Sequence, residues 1–188
     1  APTIVTVPVF KWTKGEFALE DNQIFVDDAL RLGTDGNSGE TGALIGGEAK
    51  IGGTAIDGTF TLKLSQQSFD SEGQHDVTVV FTPIDQDRYA AKECTIKIDA
   101  IKRTVARIEA CQDITGEPVG TAFDDLGLPF VNLYTEDGAV YPCGATWDKT
   151  TYDPYSIEEQ VITGTIKLDG RVIKQPAQEI KATVKVKL

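Results

Sequence analysis

Twenty-nine carboxylates and a single histidine set the chemical repertoire of this 188-residue chain. Hydrolysis by paired acids needs two carboxyl groups held roughly 5 to 9 Å apart across a bond in a cleft. The neighbouring pairs Asp27-Asp28, Asp124-Asp125 and Glu158-Glu159 do not supply this, because adjacent residues on a strand point to opposite faces and in a loop need not converge. His75 stands beside Asp76 at the start of an alternating run, without a Gly-x-Ser-x-Gly elbow or a cysteine partner, and reads as an exposed edge histidine. No catalytic residue is assigned, and the chain is expected not to be an enzyme.

The stretch Asp35-Gly36-Asn37-Ser38-Gly39-Glu40 opens like a calcium loop. It then places Gly39 where a third oxygen ligand belongs and Glu40 where the turn glycine belongs. A solvated loop is the default, and a calcium site of another kind built on Asp35 and Asn37 stays open. No other metal or cofactor-binding residues are assigned, and the cysteine spacing fits no zinc pattern.

Cys94 alternates in phase with Ile96 and Ile98, as a buried thiol used as a small hydrophobe would. Cys143 shares the phase of Ala145 and Trp147, and Cys111 lies in the first strand region of the same half. Strand pairing that brings their Cα atoms to about 5.5 Å would allow a Cys111–Cys143 bridge. Otherwise they are separate free thiols. Four tyrosines are candidates for a binding patch, since tyrosine suits wet interfaces. Tyr134 and Tyr141 are expected near each other across a hairpin, and Tyr152 and Tyr155 flank Pro154. Scattered surface tyrosines are the competing account.

The elements that must position these residues are strands. Apolar residues recur with period two between turn residues, and almost no helical period is visible. The expected strands are Ile4 to Phe10, Gln23 to Val26, Gly58 to Leu64, Asp76 to Phe81 and Cys94 to Ile98. After residue 101 come Val105 to Ile108, Phe130 to Tyr134, Ala139 to Trp147, Val161 to Leu168 and Ile180 to Leu188. Gly33 to Gly42, Gly46-Gly47 and Gly52-Gly53 read as loops or bulges. Only Pro154 to Gln160 and Asp124 to Leu126 suit a turn or two of helix.

Charge narrows the partners. With 29 acidic and 18 basic residues the formal net charge is -11, so there is no basic face for nucleic acid or an anionic membrane surface. Apolar residues at 40% and charged residues at 25% are ordinary for a folded protein. Ala1 and the lack of any Met suggest a piece of a longer parent chain, whose other regions would hold any targeting signal.

Gly120-Thr121-Ala122-Phe123-Asp124-Asp125-Leu126-Gly127-Leu128-Pro129 is followed in order by Glu136-Asp137-Gly138, Ala145-Thr146-Trp147-Asp148, Tyr152-Asp153-Pro154 and Thr163-Gly164-Thr165. This run, covering most of residues 105 to 188, resembles the bacterial immunoglobulin-like (Big) repeat of secreted and cell-surface proteins. Gly52-Gly53-Thr54-Ala55, Asp57-Gly58-Thr59-Phe60, Val79 to Asp85 and Arg88-Tyr89 resemble a related class of repeat less closely, and residues 1 to 50 depart from it. The resemblance implies an all-β chain of two tandem immunoglobulin-like β-sandwiches, 1-101 and 102-188. It places Trp147 inside the second core, against the alternative of a sugar-stacking platform. It also implies a non-catalytic spacer module, extracellular or at the bacterial cell surface, with neighbouring domains of the parent chain as partners and envelope attachment through regions outside this piece. An adhesive or carbohydrate-binding module for host protein or glycan is the alternative function.

Overall fold

Valine, isoleucine, threonine and phenylalanine alternate with polar residues along most of the chain. The computed structural model, which describes residues 1–188, turns those runs into eighteen strands and one short 3₁₀ turn. The chain is all-β, with its strands in five small sheets. It divides into two compact units, Ala1–Lys102 and Arg103–Leu188. No helix is long and apolar enough to cross a membrane.

Unit 1 runs through β1 (Thr3–Thr6), β2 (Val9–Lys14), β3 (Phe17–Ala18), β4 (Gln23–Phe25), β5 (Gly33–Thr34) and β6 (Glu40–Ile45). It continues through β7 (Glu48–Ile51), β8 (Thr54–Ala55), β9 (Gly58–Leu62), β10 (Gly73–Pro83) and β11 (Lys92–Ile101). Its sheets have the orders β1-β7-β8, β3-β2-β6-β5 and β4-β11-β10-β9. The long β10/β11 ladder pairs Val77 with Ile96 and Val79 with Cys94, so Val77, Val79, Phe81, Ile96, Ile98 and Ala100 all fall on the buried side. The edge-to-face contact of Trp12 and Phe25, with centroids 5.1 Å apart, and buried Phe10 add the aromatic part of the core. The Phe10-x-Trp12 alternation that carries this continues beyond the expected first strand.

Three expected strands or loops of unit 1 differ in the structure. Ile4 to Phe10 divides at Val7-Pro8 into β1 and β2, which join different sheets; proline has no N–H to donate. The Gly33 to Gly42 run is a hairpin of β5 on β6 rather than a plain loop, with Gly33 opposite Gly42. Gly58 to Leu64 ends as a strand at Leu62, and Leu64 is left exposed. Gly52 and Gly53, with φ of 54° and 81°, form the two-residue turn between β7 and β8, a conformation that demands positive φ at both places.

Unit 2 comprises β12 (Val105–Ile108), β13 (Ile114–Thr115), the 3₁₀ turn Phe123–Asp125 and β14 (Val131–Thr135). After these come β15 (Val140–Cys143), β16 (Ala145–Trp147), β17 (Gln160–Ile166) and β18 (Lys181–Lys187). One sheet is β12-β14-β15 and the other β13-β18-β17-β16. The expected strand Ala139 to Trp147 therefore breaks at Gly144 and passes from one sheet to the other. Pro154 to Gln160 forms turns instead of helix, because the Gln160 side-chain amide grips the Asp153 main chain at both N–H (2.7 Å) and C=O (2.8 Å).

In β18 the inward residues Ala182, Val184 and Val186 alternate with the outward residues Lys181, Thr183, Lys185 and Lys187. Leu126, Ile162, Val184 and Val186 form a buried cluster on which Phe123, Leu128, Cys111, Tyr152 and Trp147 pack. Trp147 lies over Gly164, its cross-strand partner, so closely that a Cβ at Gly164 would stand 2.6 Å from the indole. Gly164→Ala is therefore expected to destabilise unit 2 by about 1–3 kcal/mol through overpacking. Urea unfolding followed by Trp147 fluorescence in a Trp12→Phe background measures this, and an unchanged midpoint would refute the contact.

Candidate functional site

The most heavily constrained polar site lies at the start of unit 2. Arg103 is the first residue of that unit, and its main chain is held on both sides: its N–H donates to the Val172 carbonyl (2.9 Å) and its carbonyl accepts from the Lys174 N–H (2.8 Å). Its side chain is buried. Nε donates to Asp137 Oδ2 at 3.0 Å, and Nη1 donates to the Tyr141 hydroxyl at 3.1 Å. The Thr135 hydroxyl donates to Asp137 Oδ1 at 2.6 Å, and the Ala139 N–H donates to Thr135 Oγ1 at 3.1 Å. The Glu136-Asp137-Gly138 turn, with Gly138 at φ 83°, aims the carboxylate inward. Both charges of the pair have side chains under a tenth exposed, so the group acts as a clamp inside unit 2.

The strand register separates the four candidate tyrosines. Tyr141 lies opposite Leu133, and Leu133 is fully buried, so Tyr141 projects to the inner face and ends on Arg103. Tyr134 lies opposite Val140, on the other face, and its ring is covered by the Arg107 guanidinium 3.8 Å from the centroid. The expected neighbours across the hairpin thus point in opposite directions. Tyr152 packs edge-on against Phe123 and donates to the Thr121 carbonyl at 2.8 Å. Burial, then the negative charges of Asp153 and Glu117, push its phenol up. Tyr155 alone is widely exposed, with its ring beside Gly120. The structure does not bring these rings together as one patch.

The other sequence candidates are also used locally. His75 is half-buried rather than exposed, stacked on Phe69 with centroids 4.2 Å apart; Asp76 points to the opposite face and pairs with Lys97 at 3.0 Å. Asp35 closes its own turn, accepting from the Asn37 N–H (3.0 Å) and the Ser38 hydroxyl (2.7 Å), with Arg31 at 3.3 Å. The Asn37 N–H and the Ser38 hydroxyl, in that order, hold its carboxyl below the usual range. Asp124 and Asp125 sit in the 3₁₀ turn, Glu159 pairs with Lys185, and Asp27 occupies a left-handed backbone conformation at φ 69°.

All three cysteines are free thiols, so the Cys111–Cys143 bridge is not formed. Cys143 is buried opposite Val131 on β15, whereas Cys111 packs against the Leu126 cluster from the segment between β12 and β13. Burial pushes each of the three thiols up.

Sequence reasoning missed Arg103, Asp137 and Thr135 as a group, although it placed the 136–138 turn. It also missed a cleft of about 410 Å³ in unit 2, lined by residues of the 109–114 and 127–132 segments, including Glu109, Cys111, Asp113, Phe130 and Asn132. Phe130 reads in sequence only as the start of a strand; the hint was an aromatic residue out of phase with Val131, Leu133 and Thr135. No protein-family model matches the chain, and no curated protein matches it in sequence.

Asp137→Ala removes the carboxylate that the buried Arg103 Nε grips and is expected to cost about 3–5 kcal/mol, while the double change Arg103→Met with Asp137→Leu restores most of the loss. Urea midpoints of the two variants decide this; equal losses would mean that the pair's burial is not what matters. Alkylation of the denatured chain without reductant is expected to label all three cysteines, and a mass showing a single label would reveal a bridge.

Proposed function

We propose that the chain is a non-catalytic, tension-resisting spacer made of two immunoglobulin-like β-sandwiches, part of a secreted or cell-surface bacterial protein. One observation carries the mechanical part: in unit 2 a strand near the start of the chain segment runs parallel to the last strand, with Ile114 opposite Val186 and Thr115 opposite Lys187. Tension applied to the ends of that unit pulls two parallel partners in opposite directions along their length. Their hydrogen bonds and the side chains that interlock beside them are then loaded together in shear, rather than opened one at a time from an end. Unit 1 has the same feature, β4 parallel to its last strand β11, with Asp99, Ala100 and Ile101 opposite Gln23, Ile24 and Phe25.

The sandwich reading is supported by connections in unit 2. The opening segment contributes β12 to one sheet and β13 to the other, and the chain crosses between sheets at Gly144. The clamp at Arg103 supports a mechanical role too: Lys102 is the one residue between the end of β11 and an arginine whose main chain and side chain are both anchored. The bacterial, extracellular and parent-chain parts of the reading rest on the motif run from Gly120 to Thr165. A spacer also suits the use of Tyr134, Tyr141, Tyr152 and His75 for packing and of Asp35 for turn closure.

Extension of the single chain by its ends in an optical or force-probe instrument tests this. Unit 2 is expected to give an abrupt step releasing on the order of 300 Å. Ile114→Pro, which removes an N–H at the parallel pair and restricts its φ, is expected to lower the force of that step and leave the unit 1 step unchanged. Equal unfolding force in the variant and the original chain would overturn the shear reading.

A further inference from the structure

We propose that the cleft between the 109–114 and 127–132 segments of unit 2 is a carbohydrate-binding site that takes a neutral pyranose ring. The proposal does not rest on the mechanical reading, and binding and unfolding force are separate measurements.

The cleft has the volume of a small-ligand site, about 410 Å³ against a usual range of roughly 300–1,000 Å³. Its aromatic member is Phe130, whose side chain is the most exposed large apolar group in unit 2, at 76%. The ring is nevertheless backed by the fold. Its edge lies beside Gly144, at the point where the chain changes sheets, and a Cβ there would already be in van der Waals contact at 3.7 Å. An aromatic ring steadied at one edge by backbone and otherwise exposed at a cleft leaves its face available to the C–H face of a pyranose.

The polar side chains of the lining are Glu109, Gln112, Asp113 and Asn132, in which acceptor oxygens predominate. Asn132 Nδ2 donates to Glu109 Oε2 at 2.8 Å, which ties the two side chains together on the cleft wall and leaves Asn132 Oδ1 and Glu109 Oε1 as further acceptor atoms of that pair. The backbone beneath them is fixed by the Glu109 N–H donating to the Asn132 carbonyl, also at 2.8 Å. Asp113 adds a third side-chain acceptor on the cleft wall. Acceptors around an apolar ring face call for a ligand with hydroxyl donors at its rim and carbon at its centre. The two carboxylates repel uronic acids, sialic acids and sulfated sugars. An organic cation would share the attraction to the carboxylates and can also donate to the amide oxygen, so it is the competing occupant that the test includes.

The test is a titration of the full chain, followed by NMR shifts and by protection of Cys111 from a thiol reagent, since Cys111 lines the same cleft. The probes are cellobiose, lactose and N,N′-diacetylchitobiose as neutral sugars, glucuronic acid as the anion and spermidine as the cation. At least one neutral disaccharide is expected to bind and to slow Cys111 labelling while leaving Cys94 labelling unchanged. Phe130→Ala is expected to weaken binding roughly tenfold, the scale of one aromatic contact, and Tyr155→Ala to leave it intact. Glu109→Gln is expected to relax the exclusion of glucuronic acid. Because Phe130 is largely exposed, its variant should keep the urea midpoint of the original chain, which separates lost binding from lost folding. Absence of binding by all three neutral sugars, binding by spermidine alone, or full binding by Phe130→Ala would each overturn the proposal.

Discussion

A guanidinium buried against a carboxylate is the constraint around which unit 2 is arranged. Taking Arg103 and Asp137 out of water is costly, and the cost is offset only where geometry supplies several charge-assisted hydrogen bonds at once. Here that geometry draws together three segments distant in sequence: the start of the unit, the 135–139 turn and the 172–174 loop. Thr135 occupies the second side of the carboxylate and Tyr141 the far side of the guanidinium. The turn between β14 and β15 is thereby pinned, and with it the register that sends Leu133 and Tyr141 inward and Tyr134 and Val140 outward.

That register explains the fate of the aromatic residues. A tyrosine looks alike in sequence whether it serves an interface or a core. Once β14 and β15 are paired, Tyr141 is committed to the clamp and Tyr134 to the underside of Arg107. Tyr152 is drawn into the wall of the Leu126 cluster by its contact with Phe123. The ring left open at a concave surface is Phe130, beside a glycine that leaves the neighbouring backbone bare. Strand phase and what stands opposite each ring thus decide which aromatic residues are packed and which are left open.

The two units reach similar ends by different packing. Unit 1 buries Trp12 and Phe25 edge to face and relies on the long β10/β11 ladder. Unit 2 relies on smaller aliphatic residues, a tryptophan seated on Gly164 and the buried ion pair. Each nonetheless sets an earlier strand parallel to its final one. A parallel pair cannot be made by a tight hairpin and requires the intervening chain to cross over. Its presence in both units is therefore a property of the whole topology and not of any local motif.

The sequence by itself determined that the chain would be strands, which residues would face inward along most of them, and where several turns would fall. Period-two alternation and turn chemistry are local, and the runs Val77-Val79-Phe81 and Ala182-Val184-Val186 state their buried side without reference to partners. Only the tertiary structure decided which sheet each strand joins. It split Ile4 to Phe10 at Pro8 and Ala139 to Trp147 at Gly144, and kept Cys111 and Cys143 unbridged. It also paired Arg103 with Asp137 and brought Glu109 to Asn132 and Phe130. The physical reason is that alternation records one choice per residue, inward or outward. Pairing energies depend on which distant segment lies opposite, and that information exists only once the strands have met.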